Sequence, residues 1–103
     1  MGVDFYRSDD DTIDINNYGY RILSSLASKH GWVEVSLDGG WSDADALSFA
    51  EAIDRALEGM SFEQILVEVK EFMESDVLLK PEAVEYWRNI TRFLRKGGCQ
   101  IFY

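Results

Sequence analysis

The sequence predicts a mainly helical α+β domain in which four amphipathic helices pack with a small antiparallel or mixed sheet. Four segments carry apolar residues at helical spacing between recognisable start and stop residues. Shorter stretches near both ends of the chain and after residue 31 alternate apolar and polar residues, which is typical of half-buried strands. The chain has 103 residues, of which 47% are hydrophobic, so a single domain covering 1–103 can bury a core without a disulfide or a metal.

A hairpin is predicted at the start of the chain. Residues 3–6 and 12–15 each have a strand-like composition, and Ile13 and Ile15 alternate with Asp14. The polar residues between these two stretches favour a turn. We therefore expect the two strands to pair with each other.

The first helix is predicted to run from about Tyr18 to His30. Asn16 or Asn17 can cap it, because a short side-chain amide accepts a hydrogen bond from a free backbone N–H. Gly31 is expected to end it, because glycine adopts the left-handed conformation without a Cβ penalty. The predicted buried face comprises Ile22, Leu23, Leu26, Ala27 and His30.

A further strand is predicted over residues 32–37, directly after the first helix. In this pattern Val33, Val35 and Leu37 face one side. Glu34 and Ser36 face the other side. A glycine pair follows and is expected to end the strand.

Two helices are predicted to start at serines. Ser42 with Asp45, and Ser61 with Gln64, have the spacing of capping boxes. Gly59 is expected to end the first of the two. Their predicted buried residues are Ala46, Leu47, Phe49, Ala50, Ile53 and Leu57 in the second helix, and Phe62, Ile65, Leu66, Val69, Phe72 and Met73 in the third.

The fourth predicted helix starts at Pro81, whose missing N–H costs nothing in a first turn. A last strand is predicted over residues 99–103. The predicted buried side of this helix comprises Ala83, Tyr86, Trp87, Ile90, Phe93 and Leu94, and the opposite, basic side comprises Arg88, Arg92, Arg95 and Lys96.

Three blocks of sequence resemble segments of a group of small uncharacterised bacterial proteins. Residues 20–32 are similar to an aromatic-x-x-Leu-x-x-Leu-Ala-x-x-Tyr-Gly-Trp segment, and residues 93–101 to a Phe-Leu-x-x-Gly-Gly-Phe-x-Ile ending. The acidic, alanine-rich residues 42–53 resemble the helix between them. His30 replaces the usual tyrosine and Cys99 the usual phenylalanine, which implies packing roles. The resemblance implies an intact small domain and transfers no active site.

The charge of the chain restricts its partners. A net charge of −9 disfavours nucleic acid and anionic lipid, and it favours either plain solubility or a basic partner. Residues 1–79 carry 17 acids and 5 bases, whereas residues 80–103 carry 2 acids and 5 bases, so we expect the basic last helix to lie near acidic neighbours. No stretch resembles a signal peptide or a membrane span, and there is one cysteine. These features predict a soluble, cytoplasmic protein.

No catalytic, metal or cofactor motif is visible. His30 has no nucleophile near it in sequence, and its place at a helix end favours a half-buried residue that complements the helix dipole. Cys99 lacks the local signature of a cysteine hydrolase and is expected to lie buried in a strand. The acids at positions 9–11 and 14 lack the spacing and glycine of a calcium loop. We therefore predict no cofactor and no metal site.

The leading interpretation is a non-catalytic protein-interaction module, of an inhibitor or immunity type, that binds a basic protein. Surface carboxylates speed association with a basic partner. Trp41 precedes a capped helix and would be a contact residue if exposed, whereas packing over a neighbouring helix is the other expectation. The predicted partner-binding residues are Asp43, Asp45, Glu51, Asp54, Glu58 and Trp41. The third helix adds Glu63, Glu68, Glu71 and Glu74.

Two alternatives remain open at this stage. One is a small enzyme whose site is assembled around His30 with acids such as Asp38. The other is a nucleic acid binder that uses the basic side of the last helix, which the overall charge opposes.

Overall fold

The predicted α+β fold is confirmed by the structure, a computed structural model that describes residues 2–73 and 79–103. Within these residues the chain forms three strands and four α-helices. The strands are β1 (Gly2–Ser8), β2 (Asp11–Asn16) and β3 (Gln100–Phe102). The helices are α1 (Asn17–Lys29), α2 (Asp43–Leu57), α3 (Phe62–Val69) and α4 (Pro81–Arg95).

The sheet is antiparallel, with the strand order β2-β1-β3, and the predicted hairpin is confirmed. Phe5 in the central strand lies opposite Ile13 of β2 and Ile101 of β3. Because side chains alternate along a strand, this face of the sheet is apolar, whereas the opposite face is mixed and carries Asp4, Asp14 and the exposed Phe102. Phe5 is fully buried, so the apolar face closes one side of the core.

Aromatic rings occupy the region where α1, α2 and the connection between them meet. Phe49 of α2 is fully buried, and its ring centroid lies 4.8 Å from that of Trp32 and 5.2 Å from that of Trp41. Tyr20 of α1 stacks on the same ring at 6.3 Å. Trp32 and Trp41 stand near the two ends of the connection, so both ends are held on the core.

Most predicted helix ends are confirmed. Asn16 caps α1, and both predicted capping boxes are present, at Ser42 and at Ser61. Gly31 ends α1 with a φ of 98°, and the backbone N–H of Trp32 then donates to the last turn of the helix. The third helix is shorter than predicted, because its last turn tightens into a 3₁₀ turn over Lys70–Phe72.

The predicted strand over residues 32–37 is wrong. Residues 32–36 contain no helix, turn, bend or strand pairing, and Val33 is 82% exposed. Val35 and Leu37 pack partly against the core, so the three residues are not equally buried. A strand needs a neighbour, and the sheet of the described residues contains only β2, β1 and β3. Alternation of apolar and polar residues shows that a segment is suited to a strand, but it does not show that a partner strand is available.

The buried face of α4 is rotated from the prediction. Val84 and Thr91 are buried, although neither was predicted to be. Tyr86, which was predicted to be buried, is 37% exposed and donates its hydroxyl to the backbone carbonyl of Asp14. Leu47 of α2 was also predicted to be buried and is 39% exposed.

Arg7 of β1 joins the hairpin to the end of α4. Its guanidinium donates to the carbonyl oxygens of Phe93 at 2.6 Å and Gly97 at 2.7 Å, and it pairs with Asp11 at 2.7 Å. It also lies 3.7 Å from the centroid of the Phe93 ring. The cation thus binds carbonyls at and just beyond the C-terminal end of α4, where the helix dipole is negative. The Arg7 contact lowers the pKa of the Asp11 carboxyl.

The chain after α4 passes very close to the start of α2. A Cβ at Gly98 would collide with the backbone of Trp41, Ser42 and Asp43, so only glycine fits there. Cys99 and Trp41 then exchange two backbone hydrogen bonds, of 2.9 and 3.0 Å. This contact fixes the first turn of α2 relative to β3.

Candidate functional site

Two of the predicted partner-binding acids, Asp43 and Asp45, accept backbone hydrogen bonds at the start of α2. The carboxylate of Asp43 accepts a hydrogen bond from the backbone N–H of Gly98 at 2.7 Å. The carboxylate of Asp45 accepts one from the backbone N–H of Ser42 at 3.3 Å. Both acids also complement the positive end of the helix dipole. These local contacts explain the two residues, and partner binding by them stays a prediction.

Asp54 is paired with a base of the last helix. Its Oδ2 lies 2.7 Å from both Nε and a terminal nitrogen of Arg95. Such a forked, charge-assisted contact is stronger than a single neutral hydrogen bond. The expected proximity of the basic last helix to acidic neighbours is therefore confirmed at this position.

A cleft of about 320 Å³ lies between α2 and α4. Three acids and three bases line it, so its charges balance and it does not favour a basic partner. Glu51 and Glu58 are exposed there, and neither makes a hydrogen bond or an ion pair within the described parts of the chain. The lining residues are Glu51, Asp54, Arg55, Glu58, Arg88 and Arg95.

A second cleft, of about 400 Å³, lies between the first half of α2 and the connection that follows α1. Asp45 and Glu51 line it from the helix, and Trp32 and Val33 line it from the connection. Arg55 is the base in its lining, and the guanidinium donates to the backbone carbonyl of His30 at 3.0 Å. Acidic side chains therefore outnumber basic ones around this cleft.

Glu34 lies in the connection between Val33 and Val35, which line the second cleft, and its own side chain is not part of that lining. Glu34 is exposed and makes no hydrogen bond or ion pair within the described residues. Burial raises the pKa of Tyr20 to about 12, and the nearby charge of Glu34 contributes to this rise. Glu34 is not among the predicted partner-binding residues, because the alternating pattern placed it on the polar side of a predicted strand. We call Glu34, Asp45 and Glu51 the acidic rim.

Trp41 is 4% exposed, so its prediction as an exposed partner contact is wrong. Its ring centroid lies 5.6 Å from that of Phe5 and 5.2 Å from that of Phe49. Its indole N–H donates to the backbone carbonyl of Ser36 at 3.2 Å. The other expectation, that Trp41 packs against neighbouring elements, is confirmed.

His30 closes α1 as a half-buried residue, as predicted, and contacts a carboxylate of α3. Its Nε2 lies 2.7 Å from Oε1 of Glu68, and Lys29 lies 3.7 Å from the same oxygen. The His30 hydrogen bond, together with the charge of Lys29, lowers the pKa of Glu68. Asp38, the acid named for the enzyme alternative, accepts instead from the hydroxyl of Tyr103. These contacts hold α1 against α3 and bring no nucleophile of the described residues to His30.

Cys99 lies in the tight junction between β3 and the start of α2, and its side chain is buried. Burial raises the pKa of its thiol to about 11, although the charge of Arg7 opposes this rise. Nucleophilic cysteines react as thiolates. At neutral pH Cys99 is therefore a protonated packing residue.

We expect Cys99 to react slowly with iodoacetamide in the folded chain. At about pH 8, a pKa raised from 9.0 to about 11 lowers the thiolate fraction about 100-fold relative to the unfolded chain, and burial slows access further. Because the unfolded thiol ionises first, this group also destabilises the fold as the pH rises from 9.0 toward about 11. Mass spectrometry of alkylation with and without urea measures the ratio, and equal rates would show that the thiol is accessible and reactive.

The basic side of α4 is partly engaged within the domain. Arg92 contacts Asn89 and lies 3.7 Å from a carboxylate oxygen of Glu85, and Arg95 is paired with Asp54. Internal partners reduce the charge available to phosphates. The nucleic acid alternative therefore gains no support from this surface.

The acids of the hairpin turn contact the strands that carry them. Asp9 accepts a hydrogen bond from the Tyr6 hydroxyl at 2.7 Å, which raises the pKa of that hydroxyl. Across residues 2–73 and 79–103, no group of three or more His, Cys, Asp or Glu side chains is placed to hold a metal ion. Glu74, predicted as part of the acidic surface, lies outside the described residues.

Comparison with protein-family models, curated proteins and solved structures finds no match for the chain. The resemblance to small bacterial proteins therefore stays a prediction. None of the described helices is both long and apolar enough to cross a membrane. The charged residues that line the clefts beside α2 are the features that bear on function.

Proposed function

We propose that the chain is a non-catalytic protein-interaction module that binds a basic protein through the acidic rim. The observation that supports this proposal is a pair of exposed carboxylates: Glu51 lines the second cleft, and Glu34 lies between two residues that line it. Neither makes a hydrogen bond or an ion pair within the described residues. An inhibitor or immunity-type role in the cytoplasm is the particular form that we favour. The expected partner presents lysine or arginine side chains at its contact surface.

The acidic rim mainly affects the rate at which partners associate and the preference for basic over acidic partners. Exposed charge pairs each contribute about 0.2–1 kcal/mol, so two or three carboxylates alone do not make a tight complex. They raise the association rate of a positively charged partner and repel acidic ones. The net charge of −9 extends the same preference over longer distances.

The test is affinity capture with a matched pair of double variants. The full chain is immobilised, and native lysates are applied at about 50 mM salt and eluted at about 500 mM salt, which screens surface charge. The E34Q/E51Q variant removes two carboxylates of the acidic rim. The control variant, E63Q/E82Q, removes two exposed carboxylates of α3 and α4, so both variants have the same net charge.

We expect a basic protein to be retained at low salt, released at high salt and retained several-fold less by the E34Q/E51Q variant than by the control. Neutralising charges at a contact slows association, whereas neutralising them elsewhere changes only the long-range field. Equal retention by both variants would contradict the proposed site. Retention of no basic protein at low salt, across several lysates, would contradict the proposed function.

A further inference from the structure

We infer that residues 32–36, which we call the docking segment, bind an extended basic segment of the partner by backbone strand pairing. This inference rests on the proposed function and names the part of the chain that recognises the partner. It also states the form of the partner: an extended peptide with lysine or arginine side chains. Addition of a strand to a free backbone edge is a common mode of peptide recognition.

The docking segment is anchored at both ends and unpaired between them. The backbone N–H of Trp32 donates to Ala27 at 3.0 Å, and the carbonyl of Ser36 accepts from the indole of Trp41 at 3.2 Å. Between these anchors, the backbone groups of residues 33–35 have no hydrogen-bond partner in the described parts of the chain. An unbent segment with fixed ends and free donors and acceptors is organised to accept a strand.

The side chains of the docking segment favour strand pairing. The sequence predicts a strand here, because β-branched residues alternate with polar ones, yet no strand of the described chain pairs with it. Val33 is 82% exposed and lines the second cleft, while Val35 packs partly against the core. A strand laid along this segment would cover Val33 and complete the pairing that its composition favours.

Trp32 supplies a second, independent sign of a missing partner. Its side chain is 5% exposed and lines the second cleft, and its indole N–H has no acceptor in the described residues. A buried donor without an acceptor is costly, and native structures contain few of them. The N–H is enclosed by the protein, so a peptide carbonyl in the cleft reaches it only if the Trp32 ring shifts toward the cleft.

The charges select a basic segment over a second copy of the chain. Antiparallel pairing of two copies centred on Glu34 would place that carboxylate opposite itself, and each copy carries a net charge of −9. A strand with alternating lysines instead places cations on the side of Glu34. The apolar residues between the lysines then face Val33 and the cleft.

The test uses a defined peptide and nuclear magnetic resonance of the full chain. The ¹⁵N-labelled protein is titrated with a nine-residue peptide of alternating Lys and Val, acetylated and amidated at its ends. The control peptide has the same sequence with its interior backbone nitrogens methylated, which keeps the charges and removes the hydrogen-bond donors. The protein variants are E34Q and, as a matched control, E63Q.

We expect the peptide to slow amide hydrogen exchange at least about tenfold within residues 33–36, and the methylated peptide to bind at least about tenfold more weakly. E34Q should weaken binding and E63Q should not. Binding without protection of these amides, or equal affinity of the methylated peptide, would overturn the inference. Neither result would contradict the proposed function, which the affinity capture from lysates tests separately. No binding at about 1 mM peptide would also overturn it. Dimerisation of the free chain with protection of these amides would identify a second copy as the occupant, against the inference.

Discussion

Replacing Phe49 with alanine is expected to lower the free energy of unfolding by about 3–5 kcal/mol. Phe49 is fully buried and touches the rings of Trp32, Trp41 and Tyr20, so its loss removes apolar burial and leaves a cavity that three large rings cannot easily fill. A domain of this size is stable by about 5–15 kcal/mol, so this loss is a large fraction of the total. Urea denaturation followed by circular dichroism measures the difference.

The control for this experiment is Leu47→Ala in the same helix. Leu47 is 39% exposed, and we expect its truncation to cost less than about 1 kcal/mol. The Leu47 variant controls for the change in helix propensity, which is small for both substitutions. Similar losses for the two variants would contradict the central place of Phe49 in the core.

Arg7→Met is expected to lower the free energy of unfolding by about 2–4 kcal/mol. The substitution keeps an unbranched side chain but removes the cation that binds the carbonyls of Phe93 and Gly97, and both carbonyls lose a charged partner. The pairing with Asp11 is lost as well. Thermal unfolding followed by circular dichroism gives the change.

Two further variants separate the role of Arg7 from its charge. Arg7→Lys should recover only part of the loss, because an ammonium group cannot present the planar fork that reaches two carbonyls at once. Arg92→Met removes an exposed arginine of α4 and should change stability by less than about 0.5 kcal/mol. If Arg7→Met is as mild as Arg92→Met, the link between β1 and α4 is not a main source of stability.

The parts of the fold that the sequence predicts well are those decided by neighbouring residues. Ser42 and Ser61 each lie three residues before a side chain that can complete a capping box, and both boxes form. Gly31 ends α1 because it alone at that point tolerates a positive φ without strain. The hairpin is also decided by neighbouring residues, because only a short polar turn separates its two strands.

The docking segment shows why local pattern is insufficient. Strand pairing is a tertiary property, and the composition of residues 32–37 carries no information on whether an edge is free nearby. Tyr86 is a smaller example on α4. Helical spacing alone places it with the apolar face, whereas in the fold its hydroxyl reaches the backbone of Asp14 and its ring stays partly exposed.

The candidate site was predictable only in part, because the pairing of its charges depends on contacts between distant parts of the chain. The sequence identifies α2 as acidic, but ion pairing depends on which helix lies beside it. Asp54 is paired with Arg95, 41 positions later in the chain, whereas Glu51 has no such partner in the described residues. Val33 and Val35, the neighbours of Glu34, line one cleft with Glu51 only because the connection after α1 folds back along α2. No spacing in the sequence reports that approach.

The central claim is that the folded domain leaves a strand-like segment unpaired, and that Glu34 and Glu51 are exposed carboxylates with no hydrogen bond or ion pair within the described chain. Amide hydrogen exchange of the free protein tests it most directly. We predict that the amides of residues 33–35 exchange at rates close to those of an unfolded peptide, while those of Phe49 and Ile53 exchange more than about a thousandfold more slowly. Protection of residues 33–35 equal to that of Phe49 would show that the segment is already paired and would contradict the account.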